Sequence, residues 1–165
     1  NLLNVIEYLV DNKLYRMSNL TYFFTTAIKH GNLNIIEYIF KCNKNIYGTI
    51  NFENYDLIYA VENGHLNAVE FLIKNKINIS HKDNLALIIA AYKGYLDIVI
   101  LLLKNGANIN ADEDNALRSA AKNGQLKVVK YLIENGANNK MLTENMLKRI
   151  IENGYFDVYN YLINN

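Results

Sequence analysis

Three histidines and one cysteine are the side chains best suited to chemistry in this chain of 165 residues. A histidine can serve as a general base or a zinc ligand, and a cysteine thiolate can serve as a nucleophile. His30, His65 and His81 are too widely spaced to form a zinc-binding pattern with the cysteine. Cys42 has no obvious general base beside it. We therefore expect no catalytic site, no metal site and no cofactor, and a structural or solvent-exposed role for the histidines.

Composition and charge narrow the remaining classes of function. Hydrophobic residues make up 51% of the chain, which excludes intrinsic disorder. The net charge of +1 gives no field that would attract nucleic acid or an anionic membrane, and no apolar run is long enough to span a bilayer. The single cysteine fits a reducing compartment. We expect an intracellular, cytoplasmic protein that binds neither nucleic acid nor membranes.

Glycines recur through the chain at a nearly constant interval. Four of them follow one another at steps of 30 residues, and a fifth precedes this series by 33 residues. These glycines are Gly31, Gly64, Gly94, Gly124 and Gly154. An alanine stands four positions before most of them, and an apolar residue stands two positions after each. Such a period indicates a repeat protein, in which each unit packs only on its neighbours.

Each repeat is predicted to contain two short helices joined by a tight turn. We term the first helix inner and the second outer. In the copy around Gly94, Ile98 and Leu102 are spaced to share one face of the outer helix. The inner helix carries Ala90 and Ala91, whose small side chains let neighbouring inner helices approach closely. Helices of this length do not persist alone in water, so packing between repeats must stabilise them.

The first half of the chain is predicted to have two irregular connectors. One covers residues 14–18, before an inner helix at residues 22–29. The other covers residues 42–54, after an outer helix at residues 34–41, and holds the three extra residues of the longer repeat.

The whole chain, residues 1–165, is predicted to form a single repeat domain. It opens inside a repeat, on an outer helix, and lacks an initiator methionine, which predicts a fragment of a longer protein. In the last repeat Ile150 and Ile151 replace the paired alanines, and we expect their bulk to make this repeat a C-terminal cap. The predicted partial repeat and five full repeats cover residues 1–18, 19–51, 52–81, 82–111, 112–141 and 142–165.

The repeat resembles the ankyrin repeat. The shared letters are Leu-x-x-Ala-Ala-x-x-Gly, as at residues 117–124, and a closing Asn-Gly-Ala-Asn at residues 105–108 and 135–138. The usual Thr-Pro-Leu-His opening is missing and the period is about three residues short, which predicts intact helix pairs without a well-formed β-hairpin. The resemblance implies an all-α solenoid of stacked antiparallel helix pairs with a concave face of inner helices. This shortened form is also similar to ankyrin arrays of giant DNA viruses, and we attribute its abundant asparagine to AT-rich codons.

The resemblance implies a non-catalytic protein–protein interaction module that binds a protein partner, here a host protein, on the concave face. Tyr92 and Lys93 are placed at the centre of that face, because aromatic and long cationic side chains anchor interfaces more often than asparagine does. The alternative interpretation is that this face is a solvent-exposed ridge that binds no partner. Carried over position by position, the partner-binding residues are Lys29, His30, Glu62, Asn63, His81, Lys82, Asn84, Tyr92, Lys93, Lys122 and Asn123.

Two further functions stay open alongside this one. The chain can be a substrate-recruiting adaptor arm of a larger assembly such as a ubiquitin ligase, which requires a further domain. It can also be a passive structural spacer, which predicts no specific partner.

Two other surface features carry their own hypotheses. Residues 102–110 resemble ankyrin sequences that a cellular dioxygenase hydroxylates on asparagine, which makes Asn110 the candidate acceptor. Aromatic side chains also recur at one position of the outer helices, and we interpret them as packing residues, with a partner-binding stripe as the alternative. These are Tyr8, Tyr38, Phe71, Tyr131 and Tyr161.

Overall fold

The computed structural model describes residues 2–12, 14, 17–46 and 55–164, and helices are its only regular elements in these ranges. The prediction of an all-α fold is therefore confirmed. A short 3₁₀ turn, Asn139–Met141, precedes the last helix pair. The α-helices are α1 Leu2–Asp11, α2 Met17–Lys29, α3 Leu33–Ile46, α4 Asp56–Glu62, α5 Leu66–Lys74, α6 His81–Lys93, α7 Leu96–Lys104, α8 Ala111–Lys122, α9 Leu126–Glu134, α10 Glu144–Glu152 and α11 Phe156–Ile163.

The chain forms two compact units, Asn1–Ile77 and Asn78–Asn165. In the first unit α2 packs on α3 and α4, and α3 packs on α1 and α5. In the second unit the inner helix α8 packs between α6 and α10, and the outer helix α9 packs between α7 and α11. Within each unit, therefore, inner helices contact inner helices and outer helices contact outer helices.

Small and branched side chains fill the space between the helices. Ala90 and Ala120 on the inner helices have no exposed surface, as the expected close approach of these helices requires. Val99, Leu102 and Leu132 on the outer helices are also completely buried. Truncation of such a leucine to alanine costs about 2–5 kcal/mol, because it leaves a cavity in a close-packed interior. This apolar seam holds together helices that are too short to be stable alone.

Within each unit, a repeat contacts its predecessor through the residue that follows the turn glycine. The ring of His65 lies against Gly31, and its Nε2 atom is 3.0 Å from the carbonyl oxygen of Lys29. Gln125 covers Gly94 in the same way, and its Nε2 donates to the Tyr92 carbonyl at 3.3 Å. A side chain at the glycine position would collide with these covering residues. Gly31 and Gly94 must therefore stay small for packing as well as for their positive φ.

Asparagine has two recurrent structural uses in this fold. At helix C-termini its side-chain amide donates to the carbonyl oxygen four residues earlier, at 2.7–2.9 Å. In most of these cases the same carbonyl also accepts the backbone N–H of that asparagine, so the side chain adds a second bond that closes the last turn of the helix. In the connectors the side-chain oxygens of Asn78, Asn108 and Asn138 accept from the backbone N–H two residues later. Asparagine is thus used structurally here, in addition to any codon bias. The capping residues are Asn12, Asn63, Asn75, Asn105, Asn123, Asn135 and Asn164.

Two helices of the first unit are longer than predicted. Helix α2 begins at Met17, inside the predicted connector, because Leu20 continues the buried face of Phe24 one turn earlier; both side chains are 1% exposed. Helix α3 continues through Cys42 to Ile46, where a connector was predicted. The outer helices α7 and α9 end at Asn-Gly, but after α3 the next glycine is Gly48. The remainder of that connector, residues 47–54, lies outside the described residues.

The first turns of α6 and α8 contain left-handed backbone, so the regular part of each helix begins after it. Three consecutive residues, Asp112, Glu113 and Asp114, have φ between 50° and 59°. Lys82 and Asn84 also have positive φ, at 49° and 64°. No strand occurs among the described residues, which agrees with the expectation of helix pairs without a β-hairpin.

Candidate partner-binding surface

The predicted centre of the binding face lies at the end of α6. Tyr92 is 49% exposed, and Lys93 beside it is also exposed. The Lys93 Nζ atom is 6.0 Å from the centroid of the Tyr92 ring, at the outer limit of a cation–π contact. The backbone beneath them is fixed by the buried Ala90 and Ala91 and by the turn at Gly94. An aromatic ring and an ammonium group are therefore presented to solvent from a rigid support.

Helix α8 places charged side chains on the same face. Lys122 is exposed and occupies the position in its repeat that Tyr92 occupies in the previous one. Arg118, one turn earlier, pairs with Glu113, with 3.4 Å between guanidinium nitrogen and carboxylate oxygen. Asn123 donates its amide to the Ser119 carbonyl at 2.8 Å, so its side chain serves mainly as a helix cap. Among the described residues, the ammonium of Lys122 on this helix has no carboxylate partner.

A surface groove of about 390 Å³ lies between Lys122 and the last inner helix, α10. Three positive side chains and one negative side chain line it. Lys148 and Glu152 are one helical turn apart and form a loose ion pair of 3.9 Å. The lining residues are Lys122, Asn145, Met146, Lys148, Arg149 and Glu152.

Lys148 and Arg149 were missing from the predicted set. They stand exactly one repeat after Arg118 and Ser119, so the register alone places them on the exposed side of the inner helix. Sequence reasoning missed them because the last repeat departs from the family pattern at Ile150 and Ile151. Ile150 is fully buried, whereas Ile151 is 38% exposed. The role of these isoleucines as a terminal cap stays a prediction.

The predicted residues of the first unit form a separate small cluster. The Lys29 Nζ atom lies 4.0 Å from the centroid of the Tyr59 ring, which is a close cation–π contact. His30 is exposed, and its Nδ1 atom is 2.8 Å from the carbonyl oxygen of Thr26. Asn63 caps its helix through the Tyr59 carbonyl, and Glu62 beside it is exposed. The side chains of Lys29, His30 and Asn63 therefore already contact other groups of the first unit.

Three predicted residues lie at the opposite end of α6 from Tyr92. Lys82 is exposed and His81 is half-buried. Asn84 is only 5% exposed, and its side-chain oxygen accepts a 2.9 Å hydrogen bond from the backbone N–H of Asn108. The polar group of Asn84 is therefore buried and bonded within the fold, and it is not presented to a partner.

Asn110 is exposed at the start of α8, and its backbone N–H donates to the Asn108 side chain at 3.0 Å. Its side chain is accessible to a modifying enzyme. Hydroxylation of Asn110 stays a prediction.

The aromatic positions of the outer helices have different surroundings. Phe71 meets Phe40 edge-to-face, with centroids 5.3 Å apart, which supports packing between adjacent outer helices. The Lys130 ammonium lies 5.3 Å from the Tyr161 ring. Tyr8, by contrast, is 62% exposed. Burial, a hydrogen bond with Cys42 and the nearby Asp11 and Glu7 raise the pKa of the Tyr38 hydroxyl well above its usual value.

Within the ranges that the structure describes, no three histidine, cysteine or acidic side chains are grouped closely enough to hold a metal ion. Nor does any helix in those ranges have the length and apolar character needed to cross a membrane.

Comparison with known proteins places the chain in a family. A family model described as ankyrin repeats (3 copies) matches two overlapping segments, residues 24–113 and 87–165. Comparison with curated proteins gave no match. Ankyrin repeats are generally protein–protein interaction modules and are typically non-catalytic. Because the two matched segments together extend from residue 24 to residue 165, the chain belongs to the ankyrin repeat family.

Proposed function

We propose that the exposed face of the inner helices α6, α8 and α10 binds a protein partner, with Tyr92 and Lys93 as central contacts. The observation that carries this proposal is the half-exposed Tyr92 ring on a helix whose opposite face is completely buried. An exposed aromatic ring on a rigid support loses little conformational entropy when a partner covers it. The Tyr92 ring is therefore suited to anchor a protein–protein interface.

The face offers both apolar and charged contacts. On α6 the side chains of Leu85, Ile88 and Ile89 are half-buried and lead to the more exposed Tyr92. On α8 and α10 the equivalent positions carry mainly cations and amides. A partner can therefore bury apolar surface at one end and make charged contacts at the other, which is the usual combination of a core and a polar rim.

A double substitution, Tyr92→Ala with Lys93→Ala, tests the proposal. Proteins captured from host-cell lysate by the wild type are identified by mass spectrometry, and the affinity of the identified partner is then measured by calorimetry. We expect the double variant to bind about thirtyfold more weakly, which corresponds to roughly 2 kcal/mol. Its circular dichroism should stay that of the wild type, since both side chains are exposed.

A matched control removes an aromatic and a lysine from the outer helices. Phe156 is 58% exposed and Lys127 is exposed, and their double alanine variant should bind the partner like the wild type. Equal affinities of both double variants for the partner would remove Tyr92 and Lys93 from the interface. A passive spacer predicts that no partner is captured at all.

We further propose that the partner is a host-cell protein met in the cytoplasm. This rests on the likeness of the shortened repeats to the ankyrin arrays of giant DNA viruses. We expect the wild type to capture the same partner repeatedly from lysates of an amoebal host. It should capture no specific partner from lysates of unrelated cells.

A further inference from the structure

The groove between α8 and α10 has a local charge that the chain as a whole does not have. Its charged lining residues are Lys122, Lys148, Arg149 and Glu152, whereas the net charge of the entire chain is only +1. The groove therefore has a local excess of positive charge, which acidic side chains elsewhere in the chain offset. Such a local excess attracts a negatively charged partner at short range, although it gives no long-range field.

Two of the three cations in the groove are available to a ligand. Among the residues that the structure describes, Arg118 pairs with Glu113 and Lys148 pairs with Glu152. Within that part of the chain, neither Lys122 nor Arg149 has a carboxylate partner, and both are exposed. A guanidinium such as that of Arg149 can hold a carboxylate with two parallel hydrogen bonds, and a nearby ammonium can add a third contact.

The surroundings of the groove favour a peptide over other anions. The volume of about 390 Å³ accommodates a few side chains but not a folded domain. One repeat away on the same layer, α6 presents half-buried Ile88 and Ile89 next to the exposed Tyr92. An apolar area beside a cationic groove suits a chain that carries both apolar and acidic side chains. A nucleic-acid backbone would require a continuous positive track, which α6 does not supply.

We infer that the groove formed by Lys122, Lys148 and Arg149 binds an acidic segment of the partner protein, in which carboxylates follow apolar side chains. This inference rests on the proposed function of the inner-helix face and adds the chemistry of the partner. The apolar side chains lie along α6 near Tyr92, and the aspartates or glutamates enter the groove between α8 and α10. Raised salt weakens the binding, because the charged groups are exposed.

The probe for the test is a fluorescein-labelled peptide in which a pair of leucines is followed by a run of glutamates. Its affinity is measured by fluorescence anisotropy against the full chain. Lys122→Glu with Arg149→Glu should weaken binding by about tenfold or more, because like charges then face each other. The matched control is Lys104→Glu with Lys127→Glu, which makes the same change of net charge on exposed outer-helix positions and should leave the affinity within about twofold.

Further comparisons make the test decisive. The peptide with glutamines in place of glutamates should bind much more weakly than the glutamate peptide. If the charge-reversal variant does not fold, Lys122→Gln with Arg149→Gln replaces it, with the same direction of effect. Equal binding of the glutamine and glutamate peptides, unchanged affinity of the folded groove variant, or tighter binding of a single-stranded oligonucleotide than of the glutamate peptide would overturn the inference.

The two proposals fail in different ways. If capture of the natural partner depends on Tyr92 and Lys93 but the glutamate peptide does not bind, the inference of an acidic segment is wrong and the proposed binding face is supported. If the glutamate peptide binds in the groove but the affinity for the natural partner is unchanged by loss of Tyr92 and Lys93, the role proposed for these two residues as central contacts is wrong.

Discussion

The side-chain oxygen of Asn84 accepts a 2.9 Å hydrogen bond from the backbone N–H of Asn108. One repeat later, Asp114 accepts from the N–H of Asn138 at 3.0 Å. Both acceptors are 5% exposed. Each bond joins the start of an inner helix to the connector that follows the next outer helix. A buried oxygen at this position therefore joins the start of the inner helix to the connector that closes the same repeat, whether an amide or a carboxylate supplies it.

Asp114→Ala should lower the free energy of unfolding by about 1–3 kcal/mol, because the backbone N–H of Asn138 loses its partner in a poorly solvated place. Asp114→Asn should cost much less, since an amide oxygen serves at the equivalent Asn84. Urea denaturation followed by circular dichroism measures both. Equal losses for alanine and asparagine would show that the oxygen is not what stabilises this contact.

Gly124→Ala should destabilise the protein more than Gly106→Ala. Both glycines have positive φ, at 70° and 94°, so each alanine costs about 1–2 kcal/mol of backbone strain. A Cβ at residue 124 would also lie 2.5 Å from the ring of Tyr155, whereas a Cβ at residue 106 would meet nothing within 4 Å. The additional loss at Gly124 should be about 1–3 kcal/mol.

The contact with Tyr155 can be isolated with a double-mutant cycle. Tyr155→Ala should recover part of the loss caused by Gly124→Ala and none of the loss caused by Gly106→Ala. Thermal unfolding of the variants supplies the comparison. Additive effects of Gly124→Ala and Tyr155→Ala would contradict the steric explanation.

Lys76→Gly should stabilise the protein. Lys76 lies two residues after the end of α5 and has φ of 66°, at the position that Gly106 and Gly136 occupy in later repeats. A left-handed conformation costs a side-chain-bearing residue about 1–2 kcal/mol, and glycine avoids this cost but loses more entropy on folding. The net gain should be on the order of 0.5–1 kcal/mol.

Lys74→Gly is the control for this change, because it places glycine inside the last turn of α5. It should lower stability by about 1 kcal/mol. The midpoints of urea denaturation rank the two variants against the wild type. A lower midpoint for Lys76→Gly would mean that the lysine makes a stabilising contact that outweighs its strain.

Tyr38 should make the stability of the protein depend on pH at the alkaline end. Burial, Cys42 and the carboxylates of Asp11 and Glu7 raise its pKa in the folded state. The unfolded chain then releases the proton first, so the stability from this group is complete below the usual tyrosine value of 10.0 and is lost as pH rises above it. Tyr38→Phe should reduce this alkaline loss of stability.

Absorbance of the phenolate ion provides a direct check on Tyr38. Below denaturing pH, the wild type and Tyr38→Phe should show the same growth of phenolate absorbance as pH is raised. A clear deficit in the variant near pH 10 would show that the Tyr38 hydroxyl titrates normally.

The repeat architecture was accessible from sequence because its signals are local. Glycine at Gly94 and Gly124 stops one helix and starts a tight turn, and Ala90 with Ala120 marks where helices must come close. These preferences belong to single residues and their near neighbours. The extension of α3 was missed because its C-terminal end lacks that glycine, and the early start of α2 was missed because the buried Leu20 lies outside the helix predicted at residues 22–29.

The use of each polar side chain was decided only by tertiary structure. Asn84 and Lys122 are both polar residues of inner helices, yet one is 5% exposed and bonded to Asn108 while the other lines an open groove. That difference depends on which backbone group from a distant part of the sequence lies beside each side chain. The sequence thus determined the helix pairs and their period, through short-range conformational preferences. Stacking of the helices decided which polar groups are hydrogen-bonded inside the fold and which stay exposed to a partner. The hydrogen bonds of Asn84 and Asp114 show this, because each joins residues 24 positions apart.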